Sequence, residues 1–353
     1  MSTPKPKIPT AMKAWQYTST TKNGLENTMR LNSAAPVPTP TASQYLIKIV
    51  ATALNPLDFK PAEIAVFNRL VIRKPATPGL DFAGYIVTAP SGPSGSKSHF
   101  TPGQFVFGVT GASLFAGGAL AEYAIAKDPH IVAVPEHLDP IDAATIGVAG
   151  LTAYQTIVPH VKSGDRVFIN GGSGGTGVFG IQIAKALGCH VTTTCSSRNV
   201  ELCTSLGADE VIDYTKGNVV EGLIVSAKAQ KPFTHVIDNI GRDPNLYWQC
   251  HKYTDPEAMY IFVGADLSPA GMVNQVKRKL WPSFLGGGKR KGMGFFAQTK
   301  KDDLEQIAAW MTEGKIRAVI DQKFAFEEAP RAIEKLKTGR ARGKIVVEVS
   351  TAT

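Results

Sequence analysis

The fold is decided by R-V-F-I-N-G-G-S-G-G-T-G, residues 166–177. Val167, Phe168 and Ile169 form a short apolar run, as a strand buried on both faces requires. Gly172, Gly174 and Gly177 then fit G-x-G-x-x-G. Val178, Ile181, Ala184 and Leu187 follow at helical spacing, and Gly188 closes the segment. The first glycine permits a tight turn from strand to helix. The second lets backbone amides approach a pyrophosphate. The third lets the helix pack close on the strand, with its positive end facing the phosphates. A glycine-rich turn alone says little, but one set between a strand and a helix predicts dinucleotide binding. Residues 172–177, which include Ser173, Gly175 and Thr176, are the expected cradle.

The residues that follow bear on which dinucleotide is bound. A second apolar run at 190–194 predicts the neighbouring strand. Enzymes that use NAD place an acid at its end, about 20 residues past the first glycine, on the ribose hydroxyls. Here no acid occurs between Gly177 and Glu201, and the chain instead reads Thr194, Cys195, Ser196, Ser197, Arg198. Hydroxyls and a guanidinium suit a 2′-phosphate. NADPH is therefore the expected cofactor, with Ser196, Ser197 and Arg198 as its readers.

Composition narrows the class. The 353 residues suffice for two domains, and 43% hydrophobic with 19% charged residues is a globular balance. No apolar run reaches the roughly 18 residues of a membrane span. The first nine residues lack the apolar core of a signal peptide. The four cysteines show no C-x-x-C spacing and read as reduced cytosolic thiols. A cytoplasmic protein without membrane or nucleic-acid partners is expected. The net charge of +9 comes from scattered residues, apart from clusters at 277–279 and 289–291, and reads as a solvated surface.

The chain falls into two patterns. Strands are predicted at 12–17, 45–53, 85–88 and 119–125, with an extended linker around Pro36, Pro38 and Pro40. The segment at 55–60 reads as a turn because of Pro56, and 89–98 as a surface loop. From about residue 139 helices and strands alternate. Helices are expected at 141–156, 199–206, 218–227, 302–312 and 331–337. Strands are expected at 210–213, 234–240, 260–263 and 344–349. Residues 267–292 read as an irregular, basic, mobile flap. The fold class is α/β: a mainly β domain beside a doubly wound parallel sheet.

Several further segments occur in a recognisable order. They are Asn55-Pro-Leu-Asp58, Pro78-Gly-Leu-Asp81-Phe-Ala-Gly84, Pro102-Gly-Gln-Phe-Val-Phe-Gly108, the glycine-rich loop, Gly207-Ala-Asp209 and Gly343-Lys-Ile-Val346. In this order they resemble the medium-chain dehydrogenase/reductase superfamily over nearly the whole chain. The branch is similar to the zinc-independent quinone oxidoreductases and the fungal trans-acting enoyl reductases. The resemblance implies a GroES-like catalytic domain from 1–140 and 300–353 around a Rossmann domain at 141–299. It makes Asn55 a contact to nicotinamide or substrate, Val263 and Gly264 backbone neighbours of the nicotinamide, and Phe295 and Phe296 its flank. It sets Tyr214 beside the adenosine phosphate and implies cofactor contacts at Asn239, Gly241 and Lys344. The zinc alcohol dehydrogenases of the superfamily carry Cys where this chain has Asn55, and Gly-His-Glu where it has Gly79-Leu80-Asp81. A catalytic zinc takes about three Cys, His or carboxylate ligands, so no metal is expected.

Without a Lewis acid, the expected chemistry is NADPH-dependent reduction of a carbon–carbon double bond conjugated to a carbonyl, or of a quinone. An apolar pocket lined by Phe59, Phe295 and Phe296 would take the substrate. Charge then develops on an enolate oxygen, which hydrogen-bond donors stabilise. Tyr154, Lys60 and solvent are the candidate proton donors. Two alternatives stay open: a trans-acting enoyl reductase working on chains presented by a polyketide synthase carrier domain, and a non-catalytic NADP-binding interaction protein. A monomer or a homodimer suits either.

Overall fold

The computed structural model describes residues 8–19, 24–90, 99–110, 118–264, 269–281, 285 and 287–350. Most of the expected loop at 89–98 and parts of the expected flap at 267–292 lie outside them. The described residues form two compact units. One runs through Leu151 and takes in Thr299–Gly314 and the chain from Ala318 on; the other holds Thr152–Gln298 with Lys315–Arg317.

The first unit opens with β1 (Ala11–Gln16) and β2 (Arg30–Pro36), an antiparallel pair. β3 (Tyr45–Leu54) leads into α1 (Pro56–Glu63) and α2 (Ala65–Leu70). β4 (Asp81–Thr88), β5 (Phe105–Val109), β6 (Tyr123–Ala126), β7 (Ile131–Ala133) and α3 (Pro140–Ala144) follow. From the far end of the chain come α10 (Lys301–Thr312), β14 (Ile320–Ala325), α11 (Ala329–Lys337) and β15 (Lys344–Glu348). The seven-stranded sheet runs β14-β15-β3-β4-β5-β7, with β6 also paired to β3. β3 is buried on both faces because its apolar residues serve two cores. Ile47 and Ile49 pack with Phe82 and Val106, and Leu54 packs with Trp15, Phe324 and Ile345. Chain residues as far apart as Trp15 and Ile345 therefore share one core.

Several expectations are corrected here. Residues 55–60 are not a turn: Pro56 is the first residue of α1, where its missing N–H costs nothing. The extended linker at Pro36 is the end of β2. The strand expected at 119–125 begins only at Tyr123. The division between units moves from 140/141 to 151/152, since α3 packs on β3 and β4. The helix expected at 141–156 is two helices, α3 and α4 (Gly147–Ile157).

The second unit is built from β8 (Arg166–Asn170), α5 (Gly175–Ala186), β9 (His190–Cys195), α6 (Val200–Ser205), β10 (Glu210–Asp213) and α7 (Val219–Ala229). β11 (Phe233–Asp238), α8 (Pro244–Trp248), β12 (Thr254–Phe262), α9 (Pro269–Leu280) and β13 (Lys291–Gly294) complete it. All six strands are parallel, in the order β10-β9-β8-β11-β12-β13. The order reverses between β8 and β11, which makes the carboxyl ends of those strands the place for a ligand. The irregular flap is corrected: α9 and the edge strand β13 occupy most of it. Arg278 of α9 lies over the Phe262 ring, 3.9 Å from its centroid, so this helix is anchored by a cation on an aromatic face.

Candidate active site: a cofactor cradle and a buried ionic cluster

The cradle begins where β8 ends. Asn170 Nδ2 donates to Asp238 Oδ1 at 2.7 Å, and Asn170 Oδ1 accepts from Thr194 Oγ1 at 2.6 Å. Thr194 in turn receives Gly171 N on its hydroxyl (2.8 Å) and Gly172 N on its carbonyl (2.9 Å). The strands on either side of β8 thus hold the glycine turn. Gly171 has φ 82°, in the left-handed region that favours glycine. A Cβ on Gly177 would stand 2.2 Å from Gly171 O, so only glycine lets α5 sit this close to the turn. Gly174 caps α5 in an extended conformation with no side-chain cap bond. The positive helix end therefore carries no acceptor of its own at the cap, as a phosphate site requires.

Asp238 organises the next stretch. Its Oδ1 also accepts from Ile240 N (3.1 Å) and Gly241 N (2.9 Å), its Oδ2 accepts from Tyr260 Oη (3.1 Å), and its carbonyl accepts from Val263 N (3.0 Å) and Gly264 N (2.9 Å). The carboxyl ends of β8, β11 and β12 are fixed to one another by this residue. Burial raises the Tyr260 phenol well above its ordinary value, and Asp238 adds to the effect, so Tyr260 stays a neutral donor. Between these ends, Asn239 has both side-chain polar atoms buried with no partner in the protein. An unsatisfied buried amide costs about 1–3 kcal/mol. A ligand amide or hydroxyl placed there would satisfy it. The glycine cradle, the bare helix end and the orphaned Asn239 all fit a nicotinamide dinucleotide.

The loop after β9 is also ordered. Ser196 is half-buried, Ser197 and Arg198 are exposed, and Asn199 Nδ2 donates to Ser173 Oγ at 3.0 Å, tying this loop to the glycine turn. Tyr214 is 56% exposed, and its N–H donates to Cys195 O at 3.1 Å. Phe295 continues the sheet edge through its N–H to Phe262 O at 2.9 Å, and Phe296 is exposed. Gly175 and Thr176 form the first turn of α5.

The first unit holds a different constellation. Asn55 is the N-cap of α1, and its N–H donates to Asp58 Oδ2 at 2.6 Å. Its Nδ2 donates to Ala53 O at 3.2 Å and to Asp81 Oδ2 at 2.7 Å, while its Oδ1 accepts from Lys344 Nζ at 2.6 Å. Lys344 Nζ further donates to Asp81 Oδ2 (3.2 Å) and Leu54 O (3.1 Å), and Asp81 Oδ1 accepts from Val148 N at 2.7 Å. Lys344 is 2% exposed and Asp81 0%. Burial pushes the Asp81 carboxyl above its ordinary value, against the pull of Lys344, Asn55 and Val148 N–H. Burial likewise raises Asp58 to about 7 against the Asn55 N–H, and Asp58 Oδ1 has no partner.

These bonds engage two residues that the resemblance marks as ligand contacts. Both amide protons of Asn55 and one acceptor position of its Oδ1 are used inside the cluster. Lys344 bonds to Leu54 O, Asn55 and Asp81, and so ties β15 to the end of β3 and the start of α1. Phe59 packs against the first unit's core. Tyr154 lies half-buried on α4 in the second unit, and Lys60 half-buried in the last turn of α1. Sequence reading missed Asn170, Thr194 and Asp238. For Asn170 and Asp238 the signal was a polar residue closing an apolar strand, and for Thr194 it was a hydroxyl one residue before the end of β9.

Comparison with known proteins places the chain. A family described as an alcohol dehydrogenase GroES-like domain matches residues 41–136, and one described as a zinc-binding dehydrogenase matches 206–347. The chain is 45% identical to a trans-enoyl reductase of Aspergillus terreus, over 97% of each chain. It is 34% identical to a chloroplastic quinone-oxidoreductase of Triphysaria versicolor, over 89% of this chain and 92% of the other. A solved quinone oxidoreductase from Coxiella burnetii superposes with a TM-score of 0.81 at 30% identity, covering 96% of this chain and 99% of that one. The chain belongs to the medium-chain dehydrogenase/reductase superfamily. It is an oxidoreductase with a GroES-like domain and a Rossmann domain, and the dehydrogenases of its superfamily bind a nicotinamide cofactor.

The name of the second family raises the question of zinc. The donor set does not fit one at Asn55 and Asp81. An ammonium already stands there, at hydrogen-bond distance from both side chains, and a dication beside it would meet like charge. Among the described residues no group of three or more His, Cys, Asp or Glu side chains gathers as a metal site would.

Proposed function

We propose that this protein reduces the carbon–carbon double bond of an α,β-unsaturated carbonyl, or a quinone, with NADPH and without zinc. The observation that carries the reading is Lys344 Nζ bound between Asn55 and Asp81. Interconversion of an alcohol and a ketone asks for a Lewis acid or a strong proton donor on the carbonyl oxygen. Conjugate reduction asks only for hydrogen-bond donors on a delocalised enolate. The relatives support the same class: beside the two above, a 2-methylene-furan-3-one reductase of Solanum lycopersicum is 31% identical over 96% of this chain and 80% of its own.

Bound NADPH supplies the hydride from its nicotinamide C4. The protein's part is to hold it. The cradle of Gly172, Ser173, Gly174, Gly175, Thr176 and Gly177 takes the pyrophosphate, and Ser196 and Arg198 face the 2′-phosphate. Asn239, Gly241, Val263 and Gly264 present an amide and backbone groups to the nicotinamide end. Tyr154, Lys60 or solvent returns the proton to the enolate. Likeness to the Aspergillus terreus enzyme favours an enoyl thioester on a carrier domain as the physiological acceptor.

The direct test uses NADPH deuterated at C4 with a panel of enones, quinones and enoyl thioesters. Stereospecific deuterium at the β-carbon is expected. Deuterium on the carbonyl carbon, or loss of activity together with stoichiometric zinc on chelation, overturns the reading.

A further inference from the structure

Asp213 closes β10, and its carboxylate faces the loop that follows β9. Ser197 Oγ bonds to Asp213 Oδ2, and Thr215 Oγ1 bonds to Asp213 Oδ1 at 2.6 Å. Thr215 N adds a third donor to Oδ1 at 2.9 Å, and Lys216 Nζ lies 3.8 Å from Oδ2. Ser197 Oγ and Thr215 Oγ1 are 3.0 Å apart. With these donors around it, first Ser197 and then Thr215, Asp213 is held down to about 2 and is ionised at any physiological pH.

The protons can then be counted. An ionised carboxylate has none to give, so each hydroxyl must donate to it. The single proton of Ser197 goes to Oδ2 and the single proton of Thr215 goes to Oδ1. Ser197 therefore presents only lone pairs to anything outside the cluster. A 2′-phosphate is an acceptor too, and it would meet an oxygen without a hydrogen, backed by a full negative charge.

We infer that Asp213 is a specificity-determining residue that turns Ser197 from a phosphate donor into an acceptor and so restrains the preference for NADPH over NADH. The inference rests on the reading of the 196–198 loop as the ribose site of the cofactor. It leaves Ser196, Arg198, the Tyr214 hydroxyl and backbone N–H groups as the readers of a 2′-phosphate. Ser197 and Asp213 instead suit the 2′-hydroxyl of NADH, which has a proton to offer. The absence of an acid at the end of β9 is made up, in part, by an acid at the end of the next strand.

Three variants of the full-length protein test this, by equilibrium binding of NADPH and NADH. Asp213→Asn keeps an acceptor for Thr215, removes the charge and gives Ser197 a donor in place of an acceptor, which frees the Ser197 proton to turn outward. The ratio of NADPH to NADH affinity is expected to rise about fivefold, the effect of removing one like charge near the surface. Ser197→Ala is expected to weaken NADH and leave NADPH within twofold, because no donor is lost. Arg198→Ala is expected to lower the ratio about tenfold or more through a lost charge-assisted bond. A ratio unmoved or lowered in Asp213→Asn, or a tenfold loss of NADPH affinity in Ser197→Ala, overturns the inference. An unchanged ratio in Arg198→Ala overturns the ribose-site reading itself, so the two failures are distinguishable.

Discussion

Replacing Lys344 by Met keeps the aliphatic volume and removes the charge. In the structure this takes one donor from each of three acceptors at once, Asp81 Oδ2, Asn55 Oδ1 and Leu54 O, and leaves Asp81 Oδ2 with Asn55 Nδ2 alone. All lie in a region that water does not reach, since Asp81 is 0% and Asn55 3% exposed. If Asp81 stays ionised, an uncompensated buried charge costs about 3–5 kcal/mol. If it takes a proton instead, doing so at pH 7 from an unfolded value near 4 costs about 4 kcal/mol at roughly 1.4 kcal/mol per unit. The two routes agree, and the second predicts a smaller loss at pH 5 than at pH 8. For a domain of 150–250 residues the melting temperature should fall by roughly 6–20 °C. Scanning calorimetry of Lys344→Met at pH 5 and pH 8 measures this. The variant Lys344→Met with Asp81→Asn, which retains an acceptor for Val148 N–H, should recover at least half the loss at pH 8. A single variant within about 1 kcal/mol of the parent at both pH values would refute the cluster as a charged, buried support. So would a double variant that recovers nothing.

Two further outcomes follow from side chains with a buried polar atom left without a partner. Asp58 in the folded chain holds its proton to about pH 7, whereas the unfolded chain releases it near pH 4, so stability contributed by this group falls as pH rises across that window. Asp58→Asn should remove the fall and exceed the parent above pH 7 by up to about 4 kcal/mol, measured by urea denaturation against pH; identical profiles for parent and variant would sink the assignment. Asn239→Ala removes a buried amide with no partner, so the free protein should be as stable or more stable, while NADPH binding weakens about tenfold. Titration and melting curves that both move the same way would show Asn239 to be structural.

How much was legible depended on whether the cause was local. β8, β9, β10 and β11 were read to within about two residues, and β8 and β11 are the apolar runs that strands buried on two faces require. β12 was read only from Tyr260 on, six residues after it begins. β13, with the sequence Lys291-Gly-Met-Gly294, was not, since it pairs on one side only and stays largely exposed. β2, whose residues are mostly exposed, failed for the same reason. The sequence of α1 reads as a turn because Asn-Pro starts turns and helices alike. What decided between them was the Asp58 carboxylate three residues on, which accepts the Asn55 N–H. The glycine cradle was fully legible, because its argument is steric and spans only a dozen residues.

The site's polar chemistry was not legible in the same way, and the reason lies in the hydrogen bond itself. A residue type states how many protons a side chain can give, but not where they go. Asn55 and Lys344 stand out from short signatures 289 residues apart, each as a ligand contact, and neither signature shows that the two bond to one another. Ser197 reads as a donor on the strength of its hydroxyl, and nothing local shows that Asp213, sixteen residues later, accepts from it. In both places the partner of the donor is supplied only by the fold. Asn239 is the converse. The resemblance names Asn239 and passes over Asn170, but only the fold shows that Asn170 has a partner at each end of its amide and that the Asn239 side chain has none. A buried group that the protein does not satisfy, standing at the carboxyl ends of parallel strands, is where the proposed function puts the nicotinamide end of the cofactor.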